Sequence, residues 1–249
     1  MLLPARPRLR GRRPLLLAAG LVVVLTLGGV MGFAALADRA SGPGTRCDRF
    51  AQASLDRRAR DVDDGSGAGR VAVLGDSWSV GLGLEDPYRS WPSRLPGVVH
   101  VDGFSGSGFS TDASPCGSSV MYAERADRAV GVGADVLVVE GGLNDWDRTG
   151  DEIRTGFALL ASRLERVDVD RVLVVGPAPA PSRLTGAERV DELLAQQCAA
   201  YGYDYLSAIE LDGLTYLSDR LHPTVAGHAA FGDRVAEAVR PLLPGRTGE

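Results

Sequence analysis

Val71-Ala72-Val73-Leu74-Gly75-Asp76-Ser77-Trp78-Ser79 runs from four consecutive apolar residues straight into a glycine, an acid and a serine. An apolar run without polar alternation predicts a strand buried on both faces, which is the environment inside a parallel sheet covered by helices. The Gly-Asp-Ser end predicts a turn at the strand's carboxyl end, where open parallel sheets form their sites. A serine at that turn presents its hydroxyl at the sheet edge and its N–H towards a developing oxyanion. Serines at helix starts also serve simply as caps, so this stretch alone does not decide between chemistry and capping.

The same rhythm continues outward. Short runs rich in β-branched residues appear at 98–101, 136–139 and 172–175, with a weaker one at 203–206. Helical patterns fall between and after them, at about 118–130, 151–166, 186–201 and 224–240. In the last of these Val225, Ala229, Val235 and Val239 share a face, and Pro223 suits its start. Alternating strand and helix predicts an α/β domain: a three-layer α/β/α sandwich with a parallel, about five-stranded, flavodoxin-like sheet. Upstream, 48–60 reads as a helix and the Asp/Gly-rich 61–69 as a loop. Pro177-Ala178-Pro179-Ala180-Pro181 reads as a stiff loop after the fourth run.

The chain has 249 residues and a formal charge of −5, unevenly spread. Residues 1–37 hold five arginines and no acid, leaving 22 arginines against 32 acids beyond them, a formal −10. An acidic domain repels phosphate backbones, so no nucleic-acid partner is expected. The basic segment 1–14 precedes a charge-free stretch at 15–37, which is longer than an ordinary signal-peptide core and suits a transmembrane anchor. Ala35-Leu36-Ala37 has the small-x-small form of a cleavage site, so a cleaved signal peptide is the alternative. Either reading places the following domain outside the cytoplasm and gives it contact with the membrane only through this segment. Residues 38–69 form a linker and helical segment, and 70–244 the domain itself. In an oxidising location Cys47, Cys116 and Cys198 allow three pairings, of which Cys47–Cys116 is favoured because both lie outside the expected core. No C-x-x-C or H-E-x-x-H spacing occurs, so neither a metal nor a cofactor is expected.

Three further stretches follow other strands. Gly103-Phe104-Ser105-Gly106-Ser107-Gly108 lets backbone approach a ligand closely, with Gly106 and Gly108 both candidates for a donating N–H. Gly141-Gly142-Leu143-Asn144-Asp145 supplies an amide side chain that can donate to an oxyanion or cap a turn. In Asp219-Arg220-Leu221-His222-Pro223 the proline keeps His222 off helical geometry. The acid three residues back can then fold onto one ring nitrogen and leave the other to take a proton from a serine. His100 and His228, on a strand and a helix, read as structural.

Taken together, Gly75-Asp76-Ser77, Gly106, Gly142-x-Asn144-Asp145 and Asp219-x-x-His222-Pro223 resemble the conserved blocks of the SGNH hydrolases, the GDSL-like lipase/esterase family, over roughly residues 70–240. Ser90-Trp91 with Leu95 resembles that family's first helix. The resemblance implies a serine nucleophile, Ser77, with His222 as base and Asp219 orienting it. It implies an oxyanion hole made by the Ser77 N–H, the Gly106 N–H and the Asn144 amide. The expected activity is hydrolysis of carboxylic esters, of short acyl groups on glycans or lipids, through an acyl-enzyme. An acyltransferase using the same residues and a catalytically silent binding domain are the alternatives. Trp78, Trp91, Phe104, Phe109 and Trp146 lie in or beside these blocks, either lining the site or filling the core. The chain lacks G-x-S-x-G, which argues against an α/β-hydrolase.

Overall fold

The computed structural model describes residues 45–244 apart from Asp168. The expected leader or anchor at 15–37 lies outside the described residues. Six strands form one mixed, mostly parallel sheet: β1 (Val62–Asp63), β2 (Arg70–Gly75), β3 (Val98–Gly103), β4 (Val136–Glu140), β5 (Arg171–Val175) and β6 (Asp204–Leu206). Their order is β1-β3-β2-β4-β5-β6. The four pairings among the five strands β2 to β6, which carry the apolar runs, are parallel, in the order expected for a flavodoxin-like sheet.

The pleat explains why the strands read as unbroken apolar runs. Val71 and Val73 of β2 point to one face, Ala72 and Leu74 to the other, and all four are fully buried. On the first face they meet Phe231, Val235 and Val239 of α6 (Val225–Val239), together with Trp78, Trp91 and Leu95. On the second face the cover comes from α3 (Tyr122–Val130), α4 (Gly150–Leu164) and α5 (Leu184–Tyr201), through Tyr122, Ala126, Phe157, Leu160, Val190 and Leu194. Each helix buries one stripe, as an amphipathic pattern requires. A capping box between Thr149 and Glu152 opens α4.

Two expectations are corrected. The loop expected at 61–69 contains β1, whose Val62 pairs antiparallel with Val99. A two-residue strand with one apolar side chain has no periodicity to detect; it forms because the outer edge of β3 offers unpaired backbone groups. The helix expected around Ser90-Trp91 is instead a pair of 3₁₀ turns, Pro87–Arg89 and Trp91–Arg94. Pro87 and Pro92 stand at their starts, where a missing N–H costs least. Pro223 stands just before α6, as the expected start near 224 requires, and Thr224 caps the helix by accepting from the Gly227 N–H.

The helix α1 (Arg46–Arg58) lies beside the carboxyl end of β3, where its Arg58 comes within 3.6 Å of Asp102. A disulfide joins its Cys47 to Cys116, and Phe50 packs edge-on against Phe104. Cys198 is buried in α5 as a free thiol. Arg125 and Asp102 form a fully buried ion pair at 2.8 Å, and Arg128 adds a second bond to the same carboxylate at 2.6 Å. Arg125 also donates to the carbonyls of Gly75 and Val120 and to the Ser107 hydroxyl. One buried cation therefore ties the end of β2 to the loop that follows β3.

Candidate active site

Four loops meet beyond the carboxyl ends of β2, β3, β4 and β6. At the end of β2 the chain turns into a four-residue helix, α2 (Ser77–Val80). Asp76 caps it, its Oδ1 accepting from the Trp78 N–H at 2.8 Å, and Gly81 closes it in the left-handed region with φ 84°. This tight strand–cap–helix turn leaves Ser77 at the helix start. Gly75 permits it, since a Cβ there would lie 2.0 Å from the Ser79 hydroxyl oxygen.

His222 arrives from the other end of the sequence. Its Nε2 lies 3.0 Å from Ser77 Oγ, across a separation of 145 residues. Its Nδ1 lies 2.6 Å from Asp219 Oδ2. The other Asp219 oxygen accepts from the backbone N–H groups of Leu221 and His222, at 2.9 and 3.0 Å. That single carboxylate thus shapes the turn and aims the ring. Between them Arg220 has φ 57°, the one non-glycine residue among those described with positive φ. Such a conformation costs on the order of 1 kcal/mol and is held here by the Asp219 bonds. Partial burial works to raise the Asp219 carboxyl. Hydrogen bonds from the His222 ring and from the His222 and Leu221 backbones outweigh it and hold the group below the usual carboxylate range. Asp219 therefore stays ionised at neutral pH and favours the tautomer with a proton on Nδ1, which leaves Nε2 as the acceptor facing Ser77.

The turn after β4 brings Asn144 to the same place. Its Nδ2 donates to Asp76 Oδ2 at 2.9 Å and to the Ser107 carbonyl at 2.8 Å. The neighbouring Asp145 is fully buried and accepts from the N–H groups of Phe109 and Ser110, at 3.0 and 2.8 Å, so one side chain locks this turn to the loop after β3. That loop separates the two glycine candidates. Gly108 is buried, and a Cβ there would stand 2.4 Å from an Asp145 oxygen. Gly106 is partly exposed, has φ 86°, and has no atom within 3.8 Å of where a Cβ would be. Among the described residues the backbone N–H groups of Ser77 and Gly106 have no hydrogen-bond acceptor. Gly106 therefore has the geometry of a donor facing the cleft, and Gly108 that of a packing position.

A buried acid pair lies behind the serine. Burial raises the Asp76 carboxyl, against the pull of the Trp78 N–H and the charges of His222, Arg183 and Arg125. Burial and the Asp76 charge raise Glu140 further, although Ser79 Oγ donates to it at 2.7 Å. Two adjacent carboxyls out of water favour retaining a proton between them. Among the described residues, no cluster of three or more His, Cys, Asp or Glu side chains is placed to hold a metal ion.

Of the five aromatic residues weighed as site or core, Trp78, Trp91, Phe104 and Phe109 are buried, and only Trp146, at 41% exposure, reaches solvent. His228 is also core. Its Nδ1 accepts from the Trp91 N–H at 3.3 Å, and Trp78 packs edge-on against its ring. Burial, with a smaller contribution from His222, pushes its pKa down to about 4. Since the folded value lies below the ordinary 6.5, the stability it confers is present above pH 6.5 and is lost as the pH falls towards 4. Between pH 7 and pH 4.5 the native protein should therefore lose about 2–3 kcal/mol more stability than His228→Gln, as measured by urea midpoints. Equal losses would mean that His228 is not held neutral by the fold.

Arg183 has no counterpart among the residues singled out by sequence. It lies in the irregular segment after the proline-rich stretch, and its Nη1 donates to Asn144 Oδ1 and to the Leu143 carbonyl, each at 2.8 Å. No periodicity or spacing marks it, because its partner is 39 residues away.

The profile of the GDSL-like Lipase/Acylhydrolase family matches residues 73–230. No curated protein matches the chain in sequence. Among solved structures, the fold is similar to that of a carbohydrate acetylesterase from Sinorhizobium meliloti, with TM-score 0.57 and 20% identity, covering 70% of this chain and 99% of that one. It is also similar to the native M. smegmatis aryl esterase, with TM-score 0.54 and 22% identity, covering 70% and 100%.

Proposed function

The chain belongs to the GDSL-like lipase/acylhydrolase (SGNH hydrolase) family and is an esterase of that type, and from that premise we propose that it cleaves short-acyl esters outside the cytoplasm through an acyl-enzyme on Ser77. The observation that carries the assignment is the unbroken line from Asp219 Oδ2 through His222 to Ser77 Oγ, at 2.6 and 3.0 Å. In the first half-reaction Ser77 Oγ bonds to the ester carbonyl carbon while its proton passes to His222 Nε2. The carbonyl oxygen becomes an oxyanion, received by the N–H groups of Ser77 and Gly106 and by the Asn144 amide. His222 then gives its proton to the departing alcohol. Water repeats the sequence on the acyl-enzyme and releases the acid. Asp219 orients the imidazole and balances its positive charge while it holds the proton.

Several features support the substrate and location. The two structural relatives are named as acting on carbohydrate acetyl and aryl esters. Four of the five aromatic residues in or beside the motifs are committed to the core, which leaves little apolar wall for a long acyl chain. Exposed Trp146, two residues after Asn144, offers a face for a sugar or aryl ring. The Cys47–Cys116 disulfide suits an oxidising compartment.

The test is a series of p-nitrophenyl esters from C2 to C16. The highest kcat/KM should fall at C2 to C4, with a decline of about tenfold or more by C8, since a chain too long for the cleft gains nothing from burial and displaces the carbonyl from its reacting position. A profile that peaks at C8 or longer overturns the short-acyl assignment.

A further inference from the structure

Asn144 works as an oxyanion donor only if its carboxamide faces the right way. The group is nearly symmetric in shape, and a half-turn about its last bond exchanges Oδ1 and Nδ2. In the flipped form the negative end of the amide dipole would meet the developing oxyanion and oppose it. The two acceptors on the Nδ2 side, Asp76 Oδ2 and the Ser107 carbonyl, disfavour the flip. Both belong to the loops that receive the substrate, and oxyanion binding must draw one of the two amide hydrogens away from them. Oδ1 needs a partner that does not take part in that exchange.

We propose that Arg183 is a positioning residue for the oxyanion hole, holding the Asn144 carboxamide with Nδ2 towards the cleft through its bond to Oδ1. This inference rests on the reading of Asn144 as an oxyanion donor. A guanidinium has donors only, so it can face Oδ1 and cannot face Nδ2. One nitrogen, Nη1, reaches both Asn144 Oδ1 and the Leu143 carbonyl, so side chain and backbone of the turn are referred to a single cation. That cation also withdraws electron density through the conjugated amide. The Nδ2 hydrogens become better donors as negative charge builds on the substrate. Arg183 itself is braced. Its N–H bonds the Ala180 carbonyl at 2.9 Å, and the N–H of its neighbour Ser182 bonds the Arg220 carbonyl at 3.1 Å, inside the Asp219–His222 turn. The segment carrying Arg183 thus touches the two turns that bear the amide and the base.

The experiment is a mutant cycle on ester hydrolysis by the full chain, with thermal midpoints recorded for every variant. Arg183→Met should lower kcat by about 10- to 100-fold while KM stays within about threefold, because the loss appears when charge develops and not on binding. Arg183→Lys should recover most of that loss, since one nitrogen makes both bonds. In an Asn144→Ala background Arg183→Met should cost no more than about twofold further, which a general bracing role would not produce. Arg183→Gln, neutral and of intermediate length, gives the same cycle if the Met variant does not fold. A wild-type kcat in Arg183→Met, or a full additional loss on top of Asn144→Ala, overturns the inference. A wild-type kcat in Asn144→Ala overturns the oxyanion reading of Asn144 itself, so the two failures are told apart by which single variant is silent.

Discussion

Ser77→Ala should lower kcat for p-nitrophenyl acetate by about 10⁴- to 10⁶-fold, and His222→Ala by a similar amount. The size follows from the geometry. The Ser77 hydroxyl is bonded to one base, at 3.0 Å, and that base has its other nitrogen committed to Asp219. Removing the oxygen leaves no nucleophile to form the acyl-enzyme. Removing the ring leaves an alcohol that must lose its proton to water. Because the two act as one unit, the double variant should be scarcely slower than either single one, and the residue of rate should come from the oxyanion donors and from binding alone. Steady-state assays of the four proteins, with a fluorophosphonate probe to count reactive serine, check this. A Ser77→Ala protein that keeps a tenth of the wild-type rate, or still takes up the probe, would remove Ser77 from the mechanism.

Asn144→Ala should cost about 10²- to 10³-fold in kcat, the loss expected for one donor to the tetrahedral intermediate, with little change in KM. The structure adds a second consequence. Both amide hydrogens rest on protein acceptors, and one of these is the buried carboxyl of Asp76. Its loss leaves that oxygen without its side-chain donor, at a stability cost of about 1–3 kcal/mol. Asn144→Asp should be worse than Asn144→Ala, although it is nearly isosteric, because it sets a second carboxylate against Asp76 and an acceptor against the Ser107 carbonyl. Kinetics and thermal midpoints of the two variants separate these effects. If Asn144→Ala turns over at more than a fifth of the wild-type rate, the hole is formed by the Ser77 and Gly106 N–H groups without the amide.

The strands from 71 to 175 were readable because full burial on both faces requires unbroken apolar runs, and Val71 to Leu74 carry that pattern without interruption. The helices on the second face were readable for the complementary reason that each keeps a polar stripe. Val62–Asp63 was not, since its place as an antiparallel edge depends on β3 and on nothing within its own two residues. The aromatic residues show a different gap. Trp78 and Trp146 follow similar turns, yet one is fully packed against Phe231 and the other is open to solvent. No local pattern separates them, because burial there depends on whether a distant helix lies above the ring.

What the chain specifies locally includes the alternation that produces the sheet, the strained Asp219-to-His222 turn, whose partners lie within three residues, and the Gly75-Asp76-Ser77 corner, whose cap lies within two. These are short-range contacts, determined by dihedral limits and side-chain reach. The meeting of Ser77 with His222, the assignment of Gly106 to the cleft and Gly108 to packing, and the bond from Arg183 to Asn144 join residues 36 to 145 positions apart or depend on those that do. They were settled only when strand order brought four loops to one edge, because which side chain meets which across such distances is decided by the packing of the whole sheet.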